Sequence, residues 1–326
     1  MSVSRLAMAC ATVVLLCATT VSFQACADDY PARPIRLILG FAPGGIADFV
    51  GRVMAQQLTQ EFNGIAVVPE NKPGSEGITA AAYVAHASAD GYTLILIDSG
   101  MLVNPMLRDD VPYAMSDFTM AGMVGTSPIV IVASNTLAVK DIKGLIEYGV
   151  KNPDKLSYAT AGVGSPPHLA AELLKTKTGM KAVHVPYPGI GGAFTDLMAG
   201  NIQFAFSSVV GALPFTSTNR VRALATTGAH RPPAYPDIPT VAEAVSPGYS
   251  AEIWLALAAP KGTPGGVIQR LDSALQRALA EKSLSEKFGK MGIEVRPLSA
   301  VDTNAFVASE EKRWPAVIRE AGLGPK

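Results

Sequence analysis

Residues 35–62 read IRLILGFAPGGIADFVGRVMAQQLTQEF, three unlike pieces in succession. Ile35–Leu39 is a compact, mostly apolar run of strand length. Phe41, Ala42, Pro43, Gly44 and Gly45 make a turn rich in residues that break regular structure. Residues 46–62 then space apolar side chains at helical intervals. A near-continuous apolar strand that turns directly into a helix is the unit of a parallel sheet covered on both faces. The pattern recurs along the chain. Strands are predicted at 65–68, 93–97, 118–124, 129–133, 156–159, 182–185, 202–206, 221–225 and 253–258, with a late one at 294–298. Helices are predicted at 46–62, 78–87, 142–151, 166–178, 192–199, 209–217, 264–279, 284–291 and 301–321. Ser283 and Glu286 have the spacing of a capping box for the helix at 284–291. Residues 230–249, with five prolines, read as an ordered connector. The class is α/β, and 326 residues is a size at which one core commonly divides into two.

The N-terminus carries an export pattern. Arg5 gives a positive start, residues 6–21 are apolar, and Ala25-Cys26-Ala27 matches the small-x-small cleavage signature. The apolar stretch is short and interrupted for a spanning helix. Cleavage after Ala27 would remove Cys10, Cys17 and Cys26, leaving a cysteine-free mature chain suited to an oxidising compartment. Cys26 as a lipid acceptor is the alternative, in a poor context of Phe23, Gln24 and Ala25. Arg5 is the only charge removed, so 26 basic residues face 27 acidic ones in the mature chain. That balance, without any basic cluster, argues against a nucleic-acid partner.

The turn at 41–45 places consecutive backbone N–H groups at a helix N-terminus, where an anion binds without Lys or Arg. An ordinary tight strand–helix turn has the same composition. It is neither a P-loop nor a dinucleotide fingerprint, since no Gly-Lys-Ser/Thr follows and the third glycine is missing. Asp48 in the first helical turn, four residues before Arg52, reads as mainly structural. A second turn, Ala161-Gly162-Val163-Gly164-Ser165, also follows a strand. Pro166 and Pro167 open the next helix, and Ser165 is placed as its N-cap. Two amide-rich loops of this kind could grip the two ends of a dicarboxylate, or both sides of one carboxylate.

Ser165 and His168 do not make a hydrolase site. The glycine two residues after the serine is absent, and His168 lies in the same helical turn rather than arriving from a distant loop. His86, His168, His184 and His230 are scattered without ligand spacing, so neither a metal nor a cofactor is expected. His184 reads as a satisfied structural histidine. Asp196 reads as a solvated helix position, with contact to a ligand amine as the alternative, and Trp254 as a core residue.

An ordered series of short motifs resembles the receptors of tripartite tricarboxylate transporters, the Bug family. It begins with Tyr30, Pro31, Arg33, Pro34, Ile35 and the 41–45 turn with Asp48. It continues through residues 70–74, 89–93, Asn104-Pro105, Tyr158-Ala159, 162–168 and 184–187. Residues 222–225, 236–243, Ala259-Pro260 and 262–264 complete it. The resemblance implies a type II periplasmic-binding-protein fold, two α/β lobes with a ligand cleft between them. Lobe 1 is then 28–127 plus 252–326, lobe 2 is 128–251, and residues 1–27 are the signal peptide. It further implies a monomeric receptor that catalyses nothing, captures a small carboxylate in the periplasm and delivers it to membrane transporter subunits. Backbone amides and ordered water would hold the ligand. Presentation to a membrane sensor is the alternative partner.

Carried over by position, the ligand loops are 41–45 and 162–168, with residues 99–101 and the 188–192 turn, including Ser99, Gly189 and Gly191, as lesser contributors. Two departures bear on specificity. Glu76 stands where the family has small residues. Phe206-Ser207-Ser208 stands where many members carry Asp-Asn, so Ser207 joins Asp48, Glu76 and Asp196 as a candidate modulator.

Overall fold

The computed structural model describes residues 30–153, 155–320 and 322–324. The export segment, its cysteines and the cut after Ala27 lie outside the described residues. Strand β1 (Ile35–Leu39) pairs in parallel with β2 (Val67–Asn71) on one side and β3 (Thr93–Asp98) on the other. Helices α1 (Ile46–Glu61) and α2 (Ile78–Ala85) make the crossovers. Ile35, Leu37, Ile38 and Leu39 are all buried, as a strand with helices on both faces requires.

β3 runs straight into α3 (Ser99–Leu107), a helix absent from the sequence expectation. Ser99 through Asn104 are all buried, so the segment has no polar face and no amphipathic signal to read. The predicted strands 118–124 and 129–133 are one strand, β4 (Phe118–Ala133). Gly125 to Pro128 resembles a break in sequence. In the fold these residues keep pairing with β9 (Glu252–Pro260), through register shifts at Met120/Gly122 and Met123/Gly125.

Beyond residue 133 the elements are α4 (Ile142–Lys151), β5 (Ser157–Thr160), α5 (Pro166–Thr178), β6 (Val183–Pro186) and α6 (Ile190–Ala199), then β7 (Phe204–Ser208), α7 (Val209–Thr216) and β8 (Arg222–Thr226). The sheet order is β2-β1-β3-β9-β4-β7-β5-β6, with β8 also pairing β4. β5 is parallel to β6 and β7, while β4 is antiparallel to β7, β8 and β9. The proline-rich connector is ordered and holds one short helix, α8 (Val241–Ala244), closed by a capping box between Thr240 and Glu243.

The C-terminal segment returns to the first half of the chain. Helix α9 (Gly265–Ala280) packs on α1 and β4, and α11 (Ala300–Glu320) packs on β4 and α3. α10 (Lys282–Lys290) lies between them in sequence and has no side-chain cap, which corrects the expected Ser283/Glu286 box. Glu281 ends α9 and also opens α10, so the helix begins before Ser283 can cap it. β10 spans only Glu294–Val295 on β4. The rest of the predicted 294–298 strand follows β4 through separate bonds, Arg296 N–H to Val124 O and Met123 N–H to Leu298 O.

Two apolar clusters flank the sheet. One joins Ile38, Ile95, Met123 and Val307 with Trp254, which is a core residue as expected. The other joins Val130, Val132, Phe194 and Leu197. No helix among the described residues is long and apolar enough to cross a membrane.

Gly122 sits at φ +144 on β4, and a Cβ there would lie 2.7 Å from Leu275 Cδ2 and 3.3 Å from Leu298 O. Gly122→Ala is therefore expected to lower unfolding stability by about 1–3 kcal/mol through backbone strain and overpacking. Urea unfolding of the two proteins measures it, and equal midpoints would contradict the packing at this strand.

Candidate functional site

Five helices begin at the wall of one cavity of about 470 Å³, each directly after a strand. They are α1 after β1, α3 after β3, α5 after β5, α6 after β6 and α7 after β7. The C-terminal ends of sheet strands are where α/β folds present ligand sites. The five N-termini are not equivalent. Asp98 Oδ1 accepts from Met101 N at 3.0 Å and closes α3. Ser208 Oγ accepts from Gly211 N at 3.2 Å and closes α7. α5 starts with Pro166 and Pro167, which have no N–H to offer. α1 and α6 instead have glycine N-caps, Gly45 and Gly189, and no side-chain cap. Their first amides face the cavity with no side chain closing the helix end.

The geometry favours backbone approach at these two ends. A Cβ built on Gly44, Gly45, Gly189 or Gly191 meets no heavy atom within 4 Å. Gly189 has φ +112, which a side chain would strain. Asp48 holds the first turn in shape. Its Oδ2 accepts from Gly44 N at 3.1 Å, and its Oδ1 from Arg52 Nε at 2.9 Å and Asn71 Nδ2 at 3.1 Å. Burial works against the Asp48 charge, but Arg52, the Gly44 amide and Asn71 outweigh it and keep the carboxyl below its ordinary range. Asp48 is a brace, and the cavity wall does not include it.

The residues singled out in sequence divide unevenly. Phe41, Ala42, Pro43, Gly44, Gly45, Ser165, Gly189, Gly191 and Ser207 line the cavity. Gly162, Val163, Gly164, His168 and Ser99 are not on its wall. The expected second loop of free amides is largely spent on itself. Gly162 N–H bonds Thr160 Oγ1 at 3.2 Å, Gly164 N–H bonds His168 Nδ1 at 3.2 Å, and Ser165 N–H bonds Gly162 O at 3.3 Å. Ser165 holds the N-cap position, yet its hydroxyl turns back to Gly162 O at 2.7 Å and caps nothing. With Ser165 and His168 each bonded to a glycine of the loop, they form no nucleophile–base pair.

Glu76 packs against Gly162 and lies 4.0 Å from Arg108, beside the loop but off the wall. Asp196 accepts from Tyr187 Oη at 2.6 Å and Asn201 Nδ2 at 3.1 Å on the outer side of α6. Sequence reading passed over Asp98, Phe206 as a wall residue, and the contributions of Ile46, Ala47, Val210, Pro214, Phe215 and Ile253. The junction Asp98-Ser99-Gly100 is marked in sequence only at residues 99–101, and it is the acid before them that reaches the wall.

Behind the second loop lies a stacked buried group. The His168 and His184 rings are 4.1 Å apart, and His184 stacks on Tyr158 at 4.9 Å. His184 Nε2 is 2.7 Å from Thr160 Oγ1, so it is satisfied by the loop, as its structural reading requires. Tyr158 Oη donates to Glu172, which also binds Lys175 Nζ at 2.6 Å. Burial pushes His168 down to about 4 and His184 down to about 3, with Lys175 and the neighbouring histidine adding to it.

The matching family model is described as "Tripartite tricarboxylate transporter family receptor" and covers residues 50–323. The chain belongs to this family. The receptor is 35% identical to Protein BugT of Bordetella pertussis over 299 residues, 91% of each chain. Among solved structures it resembles R. palustris Rpa4515 with adipate, at TM-score 0.88 and 32% identity, covering 91% of this chain and 100% of that one. It also resembles the periplasmic binding protein BugD, at TM-score 0.85 and 32% identity, with the same coverage. It is a periplasmic solute-binding receptor with the mixed α/β fold of that group, and it is not an enzyme.

Both stacked histidines are held neutral in the folded receptor. Their folded pKa lies below the unfolded value near 6.5, so their contribution is complete above about pH 6.5 and is lost as pH falls toward 4. Acidification over that window should cost on the order of 3 kcal/mol through His168. His168→Gln, which keeps an acceptor for Gly164 N–H, should flatten the slope. Denaturant unfolding at pH 7 and pH 4.5 reads it, and an unchanged slope would contradict the assignment.

Proposed function

We propose that the receptor holds one carboxylate between the free N-termini of α1 and α6 and delivers the ligand to the membrane subunits of a tripartite transporter. The observation that carries this is the pair of uncapped glycine N-caps, Gly45 and Gly189, opening on one cavity. Each helix end presents about half a positive charge, and together they match one carboxylate. The loop contacts of 41–45 and 189–191 are made by backbone rather than by side chains, with water completing them. Of residues 162–168, Ser165, Pro166 and Pro167 line the cavity and the others support it from behind.

The related Rpa4515 structure contains adipate, a carboxylate, which supports the ligand class. The chain is exported and cut after Ala27, and it acts as a monomer. Residues 28–127 and 252–326 form one lobe and 128–251 the other, and they close about the adjacent strands β4 and β9. A ligand bridging α1 and α6 touches both lobes, so closure follows from its differential contacts.

Proline tests the amides directly. Ile46 is the first residue of α1, where proline is tolerated, and Gly45 has the extended backbone that precedes proline comfortably. Ile46→Pro removes one N–H, while Ile46→Ala removes the side chain and keeps the N–H. The expected result, read by calorimetric titration of a bound carboxylate, is at least tenfold weaker binding for the proline variant than for the alanine variant. Equal affinities would contradict amide capture at α1.

A further inference from the structure

A second cavity, of about 430 Å³, lies in the second half of the chain, between the end of α7, the start of β8 and the proline-rich connector. Helix α7 separates it from the first cavity. Val210, Pro214 and Phe215 line the first, whereas Leu213, Thr216 and Ser217 line the second. Its apolar side is made by Leu213, Ala223, Ala234 and Ile238, which pack on the apolar cluster of Val130 and Phe194. Unlike the first cavity, it has a cation. Arg222, the first residue of β8, lines it, and the sequence motif at 222–225 has no part in the first cavity.

The polar groups around Arg222 are committed to one another. Thr216 Oγ1 and Tyr235 Oη share a hydrogen bond at 2.8 Å. Asn135 Nδ2 donates to Asn219 O at 2.9 Å and to Arg220 O at 3.2 Å. The carbonyls that end α7, which would repel an anion, are also occupied. Leu213 O accepts from Ser217 N, Phe215 O from Arg220 N, and Thr216 O from Asn219 N. Arg222 is the exception. Its Nη2 donates to Leu137 O at 3.0 Å, but its Nε is buried with no acceptor. Among the described residues no carboxylate pairs with the guanidinium. A buried donor of a charged group left without an acceptor is costly, and the space beside it is where an acceptor can enter.

We propose that this cavity is a second binding site, taking a small organic acid whose carboxylate meets Arg222 Nε and whose hydrocarbon body covers Leu213 and Ile238. A carboxylate is the oxyanion that fits. Among the described residues Arg222 is the one charged side chain on the lining, so a single negative charge is matched, and planar oxygens meet planar N–H groups. The volume is that of a small-molecule site, with an apolar side and one placed polar group. With α7 between them, the two cavities fill independently.

The probe is 4-bromobenzoate, with neutral 4-bromobenzamide as its control. Crystals of the receptor soaked in 4-bromobenzoate should show an anomalous bromine peak in this cavity, with a carboxylate oxygen at hydrogen-bond distance from Arg222 Nε. Calorimetric titration should lose the matching binding event by at least tenfold in affinity in Arg222→Gln, which keeps a donor for Leu137 O, and to the same extent with 4-bromobenzamide on the parent. Ala234→Leu narrows the apolar side while leaving Arg222 in place, and should weaken the same event at least tenfold. The melting temperature of each variant without probe is compared with the parent, so that the variant that keeps it carries the test. Bromine in the first cavity alone overturns the proposal, as do equal affinities in the parent and a variant that keeps its melting temperature. A bromine peak here with no matching event in solution means binding at crystal concentration only, and also overturns it. Equal binding of the benzamide removes the role of Arg222. Occupancy of the first cavity is read from its own bromine position, so the proposed capture at α1 and α6 stands or falls separately.

Discussion

Among the described residues no Lys, Arg or His side chain lines the first cavity, so its positive potential comes from the helix starts that converge on it. Backbone amides are free in quantity only where helices start, so the fold brings helix starts together. Five strand–helix junctions converge, and three of them are closed by their own means: a carboxylate at α3, a hydroxyl at α7 and two prolines at α5. α1 and α6 are the two that meet the wall with a glycine N-cap and neither a side-chain cap nor an opening proline. Glycine at both N-caps keeps side chains out of the space through which a ligand reaches the amides.

Amide donors bind only if the loops that carry them are rigid, and each loop has its own support. The α1 turn is clamped by Asp48, which joins Gly44, Arg52 and Asn71, while Asn71 also reaches Phe41 O at 2.9 Å. The α5 turn is clamped by Thr160 and His168, with His184 and Tyr158 stacked behind them. In the second case the support consumes the loop's own amides. Three amides of the α5 turn, those of Gly162, Gly164 and Ser165, are used inside it, whereas the α1 turn spends that of Gly44 on Asp48.

Continuity of the sheet explains how two halves of the chain share one cavity. β4 pairs β9 along its first part and β7 and β8 along its second, so it belongs to both halves. α9, β10 and α11 then return to the first half after β9. The two halves are joined through these adjacent extended strands, and each has its own apolar cluster.

The sequence by itself determined the α/β class, the strand and helix order, and the 41–45 turn, because those depend on local apolar runs and on glycine and proline chemistry. Gly189 was legible as a turn in the same way, whereas Gly191, expected in the 188–192 turn, lies in the first turn of α6. Helix α3 was hidden because a helix buried all round has no periodic polar face. The continuity of β4 was hidden because only pairing with β9 holds Gly125 to Pro128 extended. Most of all, sequence could not say whether an amide is free. The 41–45 and 161–165 turns look alike on paper, each glycine-rich and each opening a helix. Which one keeps its donors depends on whether a side chain, such as Thr160 just before the loop or His168 one turn on, supports it by taking its hydrogen bonds. That is a matter of tertiary contact, and only the folded structure decided it.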